Sequence, residues 1–487
     1  MSDPTPEQEV AIDLFRAELP LVVQAGAGTG KTTTLRSMAA TEPTWRGQYI
    51  AFNRAIVEEA KAKMPRWVAA STAHGLAFKA VGARYAHRLQ SHRMRSMEIA
   101  RMLKIDPIYI SYGAQTKVLQ PSTLAGYVMK AVGQFCQTAD PHPTGRHVPY
   151  IDGIDLPTQD GRRTYGNNDV VRATLEPKIA HAWADLQSTT GQLPYKHDHY
   201  LKLWQLNSPR IAADYVLFDE GQDANPVMLD IVLQQAEHGV QLVWVGDSQQ
   251  AIYGFTGAVD ALDRAAAAGS MTSFLTQSFR FGPAIADLAN VVLDDLDAEL
   301  RLTGLSSIPS QVCRLDQSDV VLCRTNAEAV TTVLNTQKDG RTAALVGGAR
   351  EVITFAEAAT ELKDTGRTWH PDLICFESWL EVQEYVEHDA QGGELKALVG
   401  LVDDFGADVI KQALSNNPNE DAADVVVSTA HKAKGREWDT VRLAGDFPDL
   451  DERDGDTDEE KRLLYVGVTR ARLKVDVSSV PFFQTPT

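Results

Sequence analysis

Residues 24–33 read QAGAGTGKTT. An apolar run, Leu21-Val22-Val23, leads into them, and TTTLRSMAA (32–40), without Pro or Gly, follows. Strand, Gly-rich turn and helix form the setting that a phosphate-binding loop requires. Gly26, Gly28 and Gly30 let the backbone turn sharply, so that its N–H groups point inward at phosphate oxygens. A helix starting near Lys31 adds the positive end of its dipole. Lys31 is expected to reach the β- and γ-phosphates of a nucleotide, and the Thr32 hydroxyl to ligate Mg²⁺. Ala25, Ala27, Thr29 and Thr33 complete the expected loop. Ala25 stands where the general G-x-x-x-x-G-K-[ST] pattern has its first glycine.

The chain has 487 residues, enough for two to four domains. It is 44% hydrophobic and 23% charged, the balance of a globular protein. No apolar run approaches the length of a membrane-spanning helix. The acidic start, MSDPTPEQEV, does not read as a signal peptide, so an intracellular setting, cytoplasmic or associated with a nucleoid or nucleus, is expected. Cys136, Cys313, Cys323 and Cys375 lack C-x-x-C spacing, which argues against a zinc ribbon or a disulfide framework. The net charge of −18 works against nucleic-acid binding, whose affinity comes largely from cations on phosphates. Any such role must rest on local groups.

Thr5-Pro6-Glu7-Gln8 opens a helix, with Thr5 as its N-cap. The amide of Gln8 suits the donor and acceptor edge of adenine. Strands are expected at Tyr49–Phe52, near Val68, at Tyr215–Phe218 and at Leu242–Val245. The third ends in Asp219-Glu220, an acid pair suited to holding Mg²⁺ and to deprotonating a water. Residues 79–104 carry Lys79, Arg84, Arg88, Arg93, Arg95, Arg101 and Lys104 against Glu98 alone. That stretch is either a solvated helix face or a nucleic-acid patch. Residues 137–170 read as irregular, and His197 and His199 as surface histidines rather than metal ligands.

Seven blocks then occur in order: AGAGTGKT (25–32), FDEGQD (218–223), VGDSQQAIYGFTGA (245–258), QSFR (277–280), CRTN (323–326), STAHKAKGREW (428–438) and YVGVTRAR (465–472). Together they resemble the superfamily 1 DNA helicases of the UvrD/Rep type. HDHYLKLWQL (197–206) and ELKALVGLVDDFG (394–406) are similar to the F-box DNA helicase branch, although no F-box is expected ahead of the motor and no nuclease domain behind it.

The resemblance implies an α/β protein with two RecA-like P-loop domains, each with a parallel sheet and a mostly helical insertion. The first would take residues 1–80 and 200–275, interrupted by an insertion at 81–199. The second would take 276–350 and 421–487, interrupted by a small insertion at 351–420. Lys31, Thr32, Asp219 and Glu220 would act on ATP and Mg²⁺ from the first domain, with Gln250 sensing the γ-phosphate. Arg280 and Arg470 would be arginine fingers from the second. Gln8 and Phe279 would hold adenine, and Glu437 the ribose. Single-stranded DNA would meet Asn53, Thr72, His74, Tyr253, Phe255, Arg324, Asn326, Thr429 and His431.

Departures from the pattern bear on these roles. Thr256 stands where relatives often have Arg, and Phe52 directly precedes Asn53 rather than lying two residues earlier. Tyr253 reads equally as a core aromatic, while Phe255 reads more as a ring that stacks on bases than as core. The expected activity is 3′→5′ translocation and unwinding by a monomer on single strands and single/double-strand junctions. That unwinding would serve replication, recombination or repair; the alternatives are a single-strand translocase that strips bound proteins with little unwinding, and a nucleotide switch indifferent to nucleic acid.

Overall fold

The structure, a computed structural model, describes residues 3–51, 54–89, 94–113, 115–156, 164–252, 260–347, 349–374, 376, 378–388, 393–415, 417–450 and 457–484. Asn53, Tyr253 and Phe255, with Phe52 and Thr256, lie outside the described residues. The chain forms two compact units. The first takes Met1–Ile105, Ala125–Pro149 and Thr174–Ile308, and the second takes Asp106–Leu124, Tyr150–Ala173 and Pro309–Thr487. No described helix is long and apolar enough to cross a membrane.

In chain order the strands of the first unit's sheet are β1 (Leu21–Ala25), β2 (Gly47–Ala51) and β3 (Val68–Thr72), then, after the hairpin strands β4 (Ile108–Tyr112) and β5 (Gln115–Leu119), β6 (Tyr215–Asp219), β7 (Gln241–Gly246) and β8 (Met271–Leu275). The sheet runs β3-β2-β6-β7-β1-β8, with every pair parallel. Parallel strands need crossovers that cover both faces, so central strands read as unbroken apolar runs. Accordingly β6 and β7 are buried along their whole length, whereas edge strands β3 and β8 expose part of theirs. Leu21, Val23, Leu35, Tyr49, Leu217 and Val243 share one core, and Phe15 meets Tyr215 edge to face at 5.1 Å. The carboxyl ends of β1, β6 and β7 bring the phosphate loop, the acid pair and Asp247 to one edge. Open α/β sheets hold their ligands there.

The second unit repeats the plan. Its sheet contains β9 (Gln311–Val312), β10 (Val320–Cys323), β11 (Ala343–Leu345), β12 (Val425–Thr429), β13 (Trp438–Leu443) and β14 (Ala471–Asp476). The order is β11-β12-β10-β13-β14-β9, again all parallel. Helices Ala349–Thr365, Trp379–His388, Gly393–Phe405 and Ala407–Ser415 form its helical insertion around Phe355, Leu362 and Val402. The fold is therefore α/β with two parallel, RecA-like sheets.

Two boundaries differ from expectation. The stretch 81–199 is not one insertion of the first unit, because its β4–β5 hairpin and residues 150–173 pack in the second. Lys117 on β5 is buried, bonds Glu381 of the helical insertion and the Gly153 carbonyl, and lies 3.9 Å from the centre of the Tyr112 ring. Tyr385 donates to Asp152 at 2.9 Å. Residues 276–308, expected to begin the second motor domain, belong to the first unit. Their turn is stitched to residues 303–305 by Ser278 N–H to the Thr303 carbonyl, 2.8 Å, and Leu305 N–H to the Phe281 carbonyl, 2.9 Å.

Candidate active site and nucleic-acid interface

β1 ends at Ala25, and helix Lys31–Thr41 begins after five intervening residues. Gly28 at φ +76° and Gly30 at φ +84° take left-handed conformations between them. Gly28 is required for a second reason, since a Cβ there would come within 2.6 Å of the Arg280 Cβ. The loop is braced from within by the Thr29 hydroxyl, which donates to the Gly26 carbonyl at 2.9 Å. From outside, Ser278 Oγ donates to the Ala27 carbonyl at 2.8 Å, and Phe279 N–H to the Gly28 carbonyl at 2.9 Å. Ala25 and Ala27 are buried, Thr32 is half-buried and Thr33 is exposed.

The acids are held as tightly. Asp219, buried at the end of β6, accepts the Tyr49 hydroxyl at 2.5 Å and the Glu220 N–H at 3.0 Å. Glu220 sits at φ +55°, a strained place for a side chain with a Cβ. Its Oε2 is fixed by Lys31 Nζ at 3.2 Å and by Gln222 Nε2 at 2.6 Å. Gln222 in turn accepts the Asp247 N–H at 3.1 Å, and Asp247 Oδ2 accepts Gln250 Nε2 at 2.7 Å. One chain of bonds thus runs Lys31–Glu220–Gln222–Asp247–Gln250 across the tops of three strands.

Its electrostatics favour a cation. Burial, then repulsion from Glu220, pushes the Asp219 carboxyl up to about 6, against the opposing pull of Lys31. Burial disfavours the Lys31 ammonium, but Glu220, Asp247 and Asp219 outweigh it and hold its pKa above the ordinary lysine value. Three carboxylates surrounding one lysine leave an excess of negative charge that a divalent ion offsets. Among the described residues no trio of His, Cys, Asp or Glu could hold a metal ion. An ion here needs Thr32, Asp219 and oxygens from a ligand, the donor set of P-loop Mg²⁺.

Gln8 is buried and forms a reciprocal capping box with Thr5. Its Oε1 takes the Thr5 N–H at 3.0 Å, while Nε2 lies 3.3 Å from where a Gly30 Cβ would stand. The Phe279 ring, 46% exposed, lies 3.8 Å from that same point. The two groups expected to hold adenine thus meet beside the loop. Arg280, expected to come from the second domain, is half-buried next to them and is grouped with the first unit.

In the second unit Arg470 is fully buried. Its Nε donates to the Val466 carbonyl at 2.9 Å and its Nη1 to the Arg436 carbonyl at 3.3 Å. Glu437 is exposed, 3.7 Å from Arg472 Nη1. Of the expected nucleic-acid contacts, Thr72 caps helix Ala73–Ala80 through the Gly75 N–H at 3.0 Å, and His74 Nε2 meets Asp198 Oδ1 at 2.9 Å. At the carboxyl edge of the second sheet, Asn326 Oδ1 accepts Lys432 Nζ at 2.9 Å, and Thr429 caps the turn before Lys432. His431 is held down to about 4 by burial and by the Arg324 cation. His197 is exposed as expected, but His199 is buried, its Nδ1 accepting the Lys196 N–H at 3.0 Å. That ring caps a helix start and is no surface group.

Sequence reasoning assigned no role to Tyr49, Gln222, Asp247 or Ser278. Gln222, Asp247 and Ser278 fall inside three of the seven sequence blocks, which was the available signal. Tyr49 gave none, because its partner Asp219 is distant in the chain.

Residues 8–256 match the AAA domain family, and residues 383–480 the UvrD-like helicase C-terminal domain. The chain is 29% identical to F-box DNA helicase protein 1 of Schizosaccharomyces pombe, over 93% of this chain and 55% of that protein. It is 27% identical to F-box DNA helicase 1 of Gallus gallus, over 92% and 46%. To the ATP-dependent DNA helicase UvrD2 of Mycobacterium tuberculosis it is 23% identical, over 94% and 76%. The chain spans about half the length of the F-box relatives it matches. With its braced phosphate loop, its acid pair and these matches, the chain belongs to the superfamily 1 helicases of the UvrD/Rep type.

Proposed function

We propose that this chain is an ATP-dependent DNA helicase or translocase that moves 3′→5′ on single-stranded DNA. The observation that carries the reading is the bond chain from Lys31 through Glu220 and Gln222 to Asp247 and Gln250. In the absence of nucleotide, Lys31 and Glu220 neutralise each other. When a triphosphate takes Lys31, Glu220 is left aimed by Gln222 to orient and deprotonate a water. Gln250 senses the γ-phosphate. Mg²⁺ at Thr32 and Asp219 would neutralise charge on the phosphate oxygens. Gln8 and Phe279 select adenine, Glu437 contacts the ribose, and Arg280 and Arg470 stabilise the transition-state charge.

Two mutations test the site. Lys31→Ala abolishes turnover, while Glu220→Gln retains ATP binding and loses hydrolysis; full activity in either removes the assignment. Steady-state ATPase is then measured without nucleic acid, with single-stranded DNA of several lengths and with matching RNA. Stimulation that grows with DNA length supports a translocating motor, and 3′- and 5′-tailed duplexes read its direction. Length-dependent stimulation without unwinding would point instead to the stripping of bound proteins. A rate unchanged by either polymer would leave only a nucleotide switch.

A further inference from the structure

Helix Asp458–Val468 carries Glu460 in its first turn, with a side chain only 9% exposed. The Glu460 carboxylate grips the Arg324 guanidinium through two nitrogens. Nε lies 3.1 Å from Oε1 and 2.9 Å from Oε2, and Nη2 lies 2.8 Å from Oε1. Arg324 follows β10 and opens the loop that reaches Asn326. Asp446 fixes that loop's backbone, accepting the Arg324 N–H at 2.9 Å and the Thr325 N–H at 2.8 Å. The same helix is fastened to Arg470 at its other end. Arg470 Nε donates to the Val466 carbonyl at 2.9 Å and Nη2 to Thr469 Oγ1 at 2.9 Å, while Thr469 Oγ1 donates to the Tyr465 carbonyl at 2.8 Å.

An eleven-residue helix is a rigid rod about 16 Å long. A forked Arg–carboxylate pair fixes direction as well as distance, and a mostly buried carboxylate resists losing its partner. We infer that Glu460 is a positioning residue that ties the Arg324–Asn326 loop to Arg470, so that nucleic-acid contact at one end of the helix sets the guanidinium at the other. The inference rests on the helicase reading above. It gives Arg324 a transmitting role, since its guanidinium is engaged by Glu460.

The test is Glu460→Gln in the full chain, read by ATPase with and without single-stranded DNA and by oligonucleotide binding. Basal ATPase and the dissociation constant stay within about twofold of wild type, while stimulation by DNA falls about tenfold, within the range of coupling between linked sites. Arg324→Lys keeps the charge but not the fork, and loses stimulation to the same degree. Adding it to Glu460→Gln causes no further loss, because the two act as one unit. Undiminished stimulation in Glu460→Gln overturns the inference and leaves the helicase reading intact. A parallel fall of basal rate, affinity and thermal midpoint also overturns it, by showing a merely structural bond. Wild-type protein that DNA does not stimulate removes both.

Discussion

Asp219 carries the clearest conflict between stability and chemistry. Its carboxyl is raised from 3.8 to about 6, by burial first and by Glu220 second. Between those values the folded chain holds a proton that the unfolded chain has released. Its contribution to stability therefore falls as pH rises through that window and stays lost above it. Asp219→Asn keeps both hydrogen bonds, with its oxygen facing the Glu220 N–H and its amide facing the Tyr49 oxygen. The variant is expected to unfold a few degrees higher than wild type at pH 7.5, to show no gain at pH 4, and to have lost ATP hydrolysis. Melting curves at the two pH values check this, and an equal shift at both would remove the electrostatic explanation. Lys31, Asp219 and Glu220 were legible in the sequence because a glycine-rich turn and an acid pair after an apolar strand are local patterns. Tyr49 was not, because its bond to Asp219 spans 170 residues.

At the scale of elements, short spans were legible and long returns were not. Thr5 and Pro6 announce helix Pro6–Arg16, and its capping box forms as the pattern implies. That box also orients Gln8, whose Oε1 is committed to Thr5 while Nε2 faces the loop. Gln8→Ala is expected to destabilise the helix start by about 1 kcal/mol. It should also narrow the preference for ATP over GTP about two- to tenfold, the worth of one hydrogen bond. KM values for the two nucleotides decide it, and an unchanged ratio would take Gln8 out of base recognition. The edge strands β8 and β9 escaped the sequence reading because a partly exposed strand shows no continuous apolar run. The placement of Phe279 and Arg280 escaped it too, since it depends on contact with residues 303–305. Gly304 packs directly on the Gly282 carbonyl and the Pro283 nitrogen, where a Cβ would overlap backbone. Gly304→Ala is therefore expected to lift the Phe279 turn, raising KM for ATP and lowering kcat together, with Gly304→Ser no better. A kinetically silent Gly304→Ala would show that the turn is held by the phosphate loop alone.

For the whole molecule, the question is how a chain of net charge −18 binds a polyanion. Of the nine residues expected to meet DNA, Arg324 alone is permanently cationic, and the second unit pairs it with Glu460. His431, held down to about 4, is neutral at physiological pH. The expected interface therefore relies on hydroxyls, amides and stacking rings. Such contacts are sequence-tolerant and release few counterions. Each phosphate neutralised on a single strand contributes a slope of about −0.7 to log K against log salt. The expected slope for this chain is shallow, about −0.7 to −2, equivalent to one to three phosphates. Fluorescence anisotropy of a labelled oligonucleotide across a KCl series measures it directly. A slope steeper than about −3.5 would require five or more cations. The basic residues of 79–104 would then be the first candidates, although Arg88 already spends its guanidinium on the Asp185, Ser188 and Leu193 carbonyls inside the first unit. Replacing Arg84, Arg95 and Arg101 by Gln would then flatten the slope, whereas under the interface proposed here the same triple variant leaves it unchanged.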